Sequence, residues 1–185
     1  MPSRWQDFDF RLNAAIAIFI ALTVFLALLP LVVGPRQQMV KAETVREAVR
    51  GVTESWRSYS LSRKGVVGSA NRLVNASGAL RGWVDGVEPV DGGFVLRGWA
   101  ADTMDMSPAV AVIVFADGQA VAHVVPDVER GDVASHLGAP GALLSGFRTV
   151  LPTGVRPETV RVFAVDRQQA MSELSYASGL KMGGR

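Results

Sequence analysis

The chain has 185 residues, of which 49% are hydrophobic and 19% charged, and its formal net charge is +2. This composition excludes a wholly disordered chain, and so small a net charge excludes the global cationic field of a nucleic-acid-binding protein. Cysteine is absent, which excludes disulfide frameworks, cysteine–zinc sites and thiol nucleophiles. The chain has only 2 histidines, which leaves few groups for acid–base or metal chemistry. We expect one ordinary domain with an appendage, without a cofactor or a metal site.

An apolar run follows the N-terminal segment 1–11. Leu12–Val33 contains no charged residue and is bracketed by Arg11 and Arg36. Crossing about 30 Å of hydrocarbon takes roughly 20 residues, so the run predicts a transmembrane helix over 12–33. A cleaved signal peptide is the alternative, but its apolar region is shorter and a small-residue cleavage site follows it. The sequence VVGPRQQM offers no such site, so we expect an uncleaved anchor in the lipid bilayer.

The charges around this run bear on its orientation. Two arginines precede it, whereas more basic residues follow it, namely Arg36, Lys41, Arg46 and Arg50. This count favours a cytoplasmic C-terminal side, but the rule weakens where a long folded domain follows the helix. We therefore give more weight to the type of domain described below. We expect a single-pass protein of the bacterial inner membrane with a periplasmic C-terminal domain.

Residues 36–62 have the pattern of an amphipathic helical stalk. Apolar residues recur there at alternating spacings of three and four: Ala42, Val45, Val49, Val52, Trp56 and Tyr59. One interpretation is a short coiled coil that makes a homo-oligomer through helix–helix contacts of Val45, Val49, Val52 and Trp56. The other is a helix lying on lipid headgroups or on the protein's own domain. The stripe is shorter than the three to four heptads typical of coiled coils, which favours the second.

Beyond the stalk, the sequence predicts a linker over 63–78, a folded domain over 79–174 and a flexible tail over 175–185. The domain contains about seven short β-type runs: Leu80–Val84, Phe94–Ala101, Ala109–Ala116, Gln119–Val125, Gly146–Leu151, Thr159–Val165 and Ala170–Leu174. Turn residues separate them, including Asp85-Gly86, Asp91-Gly92-Gly93 and the hairpin signal Asp117-Gly118. We expect a mainly β fold, an immunoglobulin-like antiparallel sandwich, with a small barrel as the alternative. A short helical turn is expected at Asp132–Leu137.

The tetrapeptide Leu-Arg-Gly-Trp occurs twice, ending at Trp83 and at Trp99, and we expect the two copies on neighbouring antiparallel strands. The two tryptophans either fill the core or form a platform on which a sugar stacks.

Four short motifs resemble a bacterial β-sandwich module found in glycosyltransferases and other polysaccharide-pathway proteins. They are Arg97–Asp102, Val114–Gln119, Asp127–Val133 and Ser145–Arg148, in that order. The resemblance covers about residues 79–174, with Arg130, Asp132 and Val133 in the third motif. It implies an immunoglobulin-like fold and an accessory role near glycans, and it implies no catalytic residues.

The candidates for chemistry are few. His123 and His136 have no motif around them, and Arg130 and Asp132 are expected to form a charge pair or to cap a turn. A hydrolase using Asp102 and Asp132 is the weakest hypothesis. We expect a non-enzymatic, membrane-anchored accessory or scaffold subunit, with a membrane-protein complex as partner and a role in envelope polysaccharide assembly. The alternative is a tethered carbohydrate-binding module, with ligand or partner contacts at Trp83, Trp99, Arg130 and Asp132.

Overall fold

The computed structural model describes residues 43–177. The predicted N-terminal segment 1–11 and membrane segment 12–33 lie outside these residues, as does the tail from residue 178 onward. The chain divides into two units, Met1–Thr44 and Val45–Arg185, and the second contains every strand described below. Between residues 43 and 177, the structure has no helix long and apolar enough to cross a membrane.

Helix α1 covers residues 43–55, and a 3₁₀ turn, Trp56–Ser58, continues it. The expected stalk therefore ends before residue 62, because Ser60–Ser62 forms strand β1. Strand β1 pairs with β2 (Gly65–Val67), and the N–H of Leu61 donates to the carbonyl oxygen of Gly118 at 2.7 Å. The linker expected over 63–78 is thus partly structured, since its first residues complete a hairpin at the edge of a sheet.

The remaining strands and the second helix follow in chain order. They are β3 (Leu80–Val90), β4 (Gly93–Asp102), β5 (Ser107–Pro108), β6 (Ala111–Ala116), β7 (Gln119–Val124), α2 (Gly131–Leu137), β8 (Gly146–Pro152), β9 (Arg161–Val165), β10 (Met171–Glu173) and β11 (Ser175–Tyr176). Each of the seven predicted runs overlaps a strand, and α2 lies where a helical turn was expected.

The strands form two sheets. Sheet 1 has the order β10-β9-β6-β7-β1-β2, and sheet 2 has the order β11-β3-β4-β5, with β8 also paired to β4. The mainly β, two-sheet prediction is confirmed. The pairing is antiparallel except between β11 and β3, which are parallel. The tail expected to be flexible from residue 175 therefore begins with a paired strand, and the hydroxyl of Tyr176 donates to the carbonyl oxygen of Val160 at 3.0 Å.

The turn chemistry explains the connection between β6 and β7. Asp117 and Gly118 both have positive φ, at 48° and 81°, and they join β6 to β7 as the sequence predicts. The prediction of a turn at Asp85-Gly86 is wrong, because β3 continues through this dipeptide to Val90. The register with β4 shifts between Val84 and Gly86, so this dipeptide is a β-bulge inside one long strand.

Strand β6 is buried on both faces, since all six of its residues are buried. Its alternate residues Val112 and Val114 belong to the cluster shared with sheet 2, which includes Leu96, Phe147 and Leu151. The intervening Ile113 and Phe115 belong to a second cluster with Ala48 and Val52 of α1. Helix α1, sheet 1 and sheet 2 therefore form three layers.

The apolar stripe of α1 faces the protein's own sheet. Val52 is fully buried, and Val49 and Trp56 pack against the same cluster, while Val45 stays partly exposed. This is one of the two arrangements left open by the sequence. Because sheet 1 already covers Val52, that residue is unavailable for the helix–helix contact of a coiled coil.

Candidate binding face

The outer face of sheet 2, opposite the core, has an unusual composition. Side chains alternate along β3 and β4, so Leu80, Val84 and Leu96 point into the core while tryptophans and arginines point outward. We define the Trp–Arg face as these tryptophans and arginines together with Arg148 of β8 and Arg130 of the loop before α2: Arg81, Trp83, Arg97, Trp99, Arg130 and Arg148.

Trp83 and Trp99 are directly opposite each other on β3 and β4, and Gly146 of β8 is opposite Trp99. Trp83 is 43% exposed, so it is not a core residue. Trp99 is half-buried because it packs against a small cluster of Ala101, Ala139 and Ala142. The repeated tetrapeptide thus places both indoles in one row on the outside of the sheet, as a cross-strand pair.

The two repeated glycines explain why the tryptophans point outward. A Cβ on Gly98 would lie 2.7 Å from the ring of Phe147, and one on Gly82 would lie 2.8 Å from Leu174. Both large side chains are buried in the core. The glycines therefore face inward, where they admit Phe147 and Leu174, and the adjacent tryptophans face solvent.

Arg130 ties the loop before α2 to this face. Its guanidinium donates to both carboxylate oxygens of Asp132, at 2.9 and 2.8 Å, and to Asp85 of β3 at 2.5 Å. The hydrogen bond from Arg130 lowers the pKa of Asp132 to about 2, and the hydrogen bond to Asp132 raises the pKa of Arg130. Of the two roles expected for Arg130 and Asp132, a charge pair or a turn cap, the structure shows the charge pair, and Asp85 is a third member that the sequence did not indicate.

A cleft of about 350 Å³ lies beside this ion-pair cluster. Its lining includes Asp85, Arg97, Val128, Arg130 and Arg148. This volume is at the lower end of the range of about 300–1,000 Å³ that is typical of small-molecule sites.

The arginines of the face differ in their partners. Nη2 of Arg97 lies 2.7 Å from Oε1 of Glu88, so the carboxylate of Glu88 offsets the charge of Arg97. Among the described residues, Arg81 donates only to the backbone carbonyls of Gly78 and Leu80. Across residues 43–177, neither Arg81 nor Arg148 forms an ion pair. Both are exposed, so each can offer a guanidinium to an external anion.

The other candidate groups have structural contacts. Asp102 is buried, and its Oδ1 accepts hydrogen bonds from the amides of Met104 and Asp105 at 2.9 and 3.1 Å. His123 stacks on Trp56 with 5.0 Å between ring centroids. Burial, and then repulsion from Arg57, lower the pKa of His123. His136 is exposed in the last turn of α2. In the described part of the chain, no three histidine or acidic side chains could hold a metal ion together.

Sequence reasoning missed Arg81, Arg97, Arg148 and Asp85 as parts of one surface. Strict alternation along each strand would have indicated that the three arginines point outward. It could not show that Arg97 and Arg148 are opposite each other, because that register depends on the pairing of β4 with β8.

Comparisons of the chain with protein-family models, with curated proteins and with solved structures give no match.

Proposed function

We propose that this protein is a non-enzymatic, single-pass membrane protein of the bacterial inner membrane. It presents an immunoglobulin-like β-sandwich on the periplasmic side and acts there as an accessory or scaffold subunit of an envelope polysaccharide-assembly complex. The observation that carries the proposal is the charge-free apolar run Leu12–Val33 upstream of a β-rich folded unit. A protein of this kind acts by position and contact.

The contacts of the candidate catalytic groups support a non-enzymatic role. Asp102 accepts hydrogen bonds from two backbone amides, and Asp132 accepts hydrogen bonds from the guanidinium of Arg130. Both carboxylates are therefore engaged in contacts within the fold. The ring of His123 stacks on Trp56. The resemblance to the polysaccharide-pathway module also implies an accessory role.

Membrane fractionation tests the anchor. We expect the full chain to stay with the membranes during alkaline carbonate extraction. The double variant Leu22→Arg/Phe25→Arg should move to the soluble fraction, because two charges in the apolar run oppose insertion. The matched control Arg63→Gln/Lys64→Gln should stay with the membranes. A wild-type chain released by carbonate would refute the anchor.

A reporter fused to the C-terminus tests the orientation. Alkaline phosphatase, which is active only after export, should be active there, and a cytoplasmic reporter should be silent. The scaffold role is tested by detergent extraction followed by purification of the full chain. Recovery with defined partner subunits is the expected result, and recovery as a lone monomer would count against the scaffold role.

The second candidate function is a membrane-tethered carbohydrate-binding module. The exposure of Trp83 on the outer face supports it, since a core-filling tryptophan would have no such surface. A glycan array probed with the detergent-solubilised chain is the test. Trp83→Ala should weaken binding more than Trp99→Ala does, and binding that is unchanged by both substitutions would exclude this face.

A further inference from the structure

The environment of Trp83 suggests a ligand class more specific than a saccharide. Arg81 precedes Trp83 by two residues on β3, so both side chains lie on the same face of the strand, about 7 Å apart along it. On the other side of the Trp83–Trp99 row, Arg97 and Arg148 are directly opposite each other in the next outward positions of β4 and β8. An exposed indole therefore has arginines on both sides.

The charges on this surface are only partly neutralised. Glu88 offsets the charge of Arg97, while Asp85 and Asp132 together outweigh the charge of Arg130 by one. Arg81 and Arg148 remain as the cations of the face without an ion pair among the described residues. A guanidinium presents a planar fork of donors that matches a carboxylate, and an exposed one is ready to form that pair with a ligand.

We propose that the Trp–Arg face binds an acidic saccharide, with a sugar ring stacked on Trp83 and its carboxylates paired with Arg81 and Arg148. This inference rests on the second proposed function. The apolar C–H bonds of a pyranose ring pack on the flat indole, while the two arginines, on opposite sides of that indole, select a chain with repeated negative charges. An extended oligosaccharide of several acidic units carries one carboxylate on each unit, so it has a carboxylate for each of the two arginines.

The experiment measures binding of the full chain, solubilised in detergent, by isothermal titration calorimetry. The ligands are tetrasaccharides of galacturonate and of mannuronate, together with their methyl esters, which keep the sugar rings and remove the charges. We expect at least one uronate to bind about tenfold more tightly than its ester. Polyglutamate, which has the charges without the rings, should bind more weakly than that uronate.

Two sets of variants locate the site. Arg81→Gln/Arg148→Gln should weaken uronate binding at least about fivefold and leave ester binding unchanged. Arg63→Gln/Lys64→Gln removes the same number of exposed charges from the β1–β2 turn on sheet 1 and should change nothing. Trp83→Ala should weaken both ligands about tenfold. Thermal unfolding of each variant controls for folding.

The outcomes separate this inference from the proposed function. Equal binding of ester and uronate would overturn the acidic selectivity while leaving a carbohydrate-binding module. Absence of binding by all four saccharides would overturn the inference, and the glycan array then decides the second proposed function separately. Polyglutamate that binds as tightly as a uronate, with no effect of Trp83→Ala, would instead identify an acidic protein segment as the ligand and refute a saccharide.

Discussion

At the scale of single residues, the two buried aspartates of the described chain act as turn-forming acceptors. Asp102 accepts the amides of Met104 and Asp105, and Asp166 accepts those of Gln168 and Ala170, both at 2.9 Å. Each carboxylate is buried at the end of a strand, where the backbone amides of the turn have no ladder partner. Local structure thus explains Asp102, the last residue of the motif Arg97–Asp102.

Asp102→Ala should therefore destabilise the fold. The substitution removes the acceptor of two backbone amides, and we expect a loss of about 1–3 kcal/mol in the free energy of unfolding, measured with urea. Asp102→Asn keeps Oδ1 and should lose less. Glu129→Ala, which removes an exposed carboxylate, is the control and should stay within about 0.5 kcal/mol of wild type. Equal losses for Ala and Asn would show that charge, and not the acceptor, matters.

The repeated glycines make a second prediction at this scale. A Cβ at position 98 would lie 2.2 Å from the carbonyl oxygen of Trp83 as well as 2.7 Å from Phe147. Gly98→Ala should cost about 3 kcal/mol, because backbone and a buried ring would both have to move. Gly78→Ala is the matched control, since nothing lies within 4 Å of the added atom. A Gly98→Ala melting temperature equal to that of Gly78→Ala would contradict this account of the repeat.

At the scale of elements, α1 packs on the face of sheet 1 that points away from sheet 2. Without it, the outward faces of Ile113, Phe115 and Phe163 would be open to solvent, because they belong to the cluster that Val52 completes. The helix and the sheet thus stabilise each other, which is the usual source of helix stability in proteins. An amphipathic stripe that is too short for a coiled coil is long enough for this contact.

Val52→Ala tests the role of α1. It removes two buried methyl groups, and we expect a loss of about 2 kcal/mol in unfolding free energy with no change in oligomeric state. Thr53→Ala, on the exposed side of the same helix, is the control for helix propensity. Sedimentation of the detergent-solubilised variants provides the second measurement. A Val52→Ala variant that changes its oligomeric state without losing stability would favour the coiled-coil interpretation.

At the scale of the whole molecule, stability should fall on acidification in two steps. The pKa of His123 is lowered by burial and by Arg57, so the unfolded chain binds a proton there more readily than the folded chain. The contribution of His123 to the free energy of unfolding is therefore fully present above the pKa of about 6.5 that histidine has in the unfolded chain. It falls as the pH drops below that value. Asp132 has a pKa of about 2, lowered from 3.8, so its contribution falls between these two values.

Urea unfolding at pH 7.5 and 5.5 measures the first step. The wild-type chain should be less stable at pH 5.5, and His123→Gln should remove much of that difference because it cannot be protonated. His136→Gln is the matched control, since His136 is exposed, and it should retain the wild-type difference. A His123→Gln variant with an undiminished pH dependence would show that other groups are responsible.

The sequence alone determined the features that depend on neighbouring residues. Alternation with a period of two and the Asp-Gly and Gly-Gly turns located seven strands, and the three-and-four spacing located α1. The short β-type runs indicated a mainly β chain, and a charge pair was one of the two roles expected of Arg130 and Asp132.

Only the tertiary structure decided how these elements combine. Whether α1 covers a sheet or pairs with another helix, whether Asp85-Gly86 turns or bulges, and whether Trp83 faces solvent or core all depend on which distant strand lies alongside. Strand register and layer order come from contacts between residues far apart in the chain, and no local pattern encodes them. The Trp–Arg face exists because β3, β4 and β8 pair in one register.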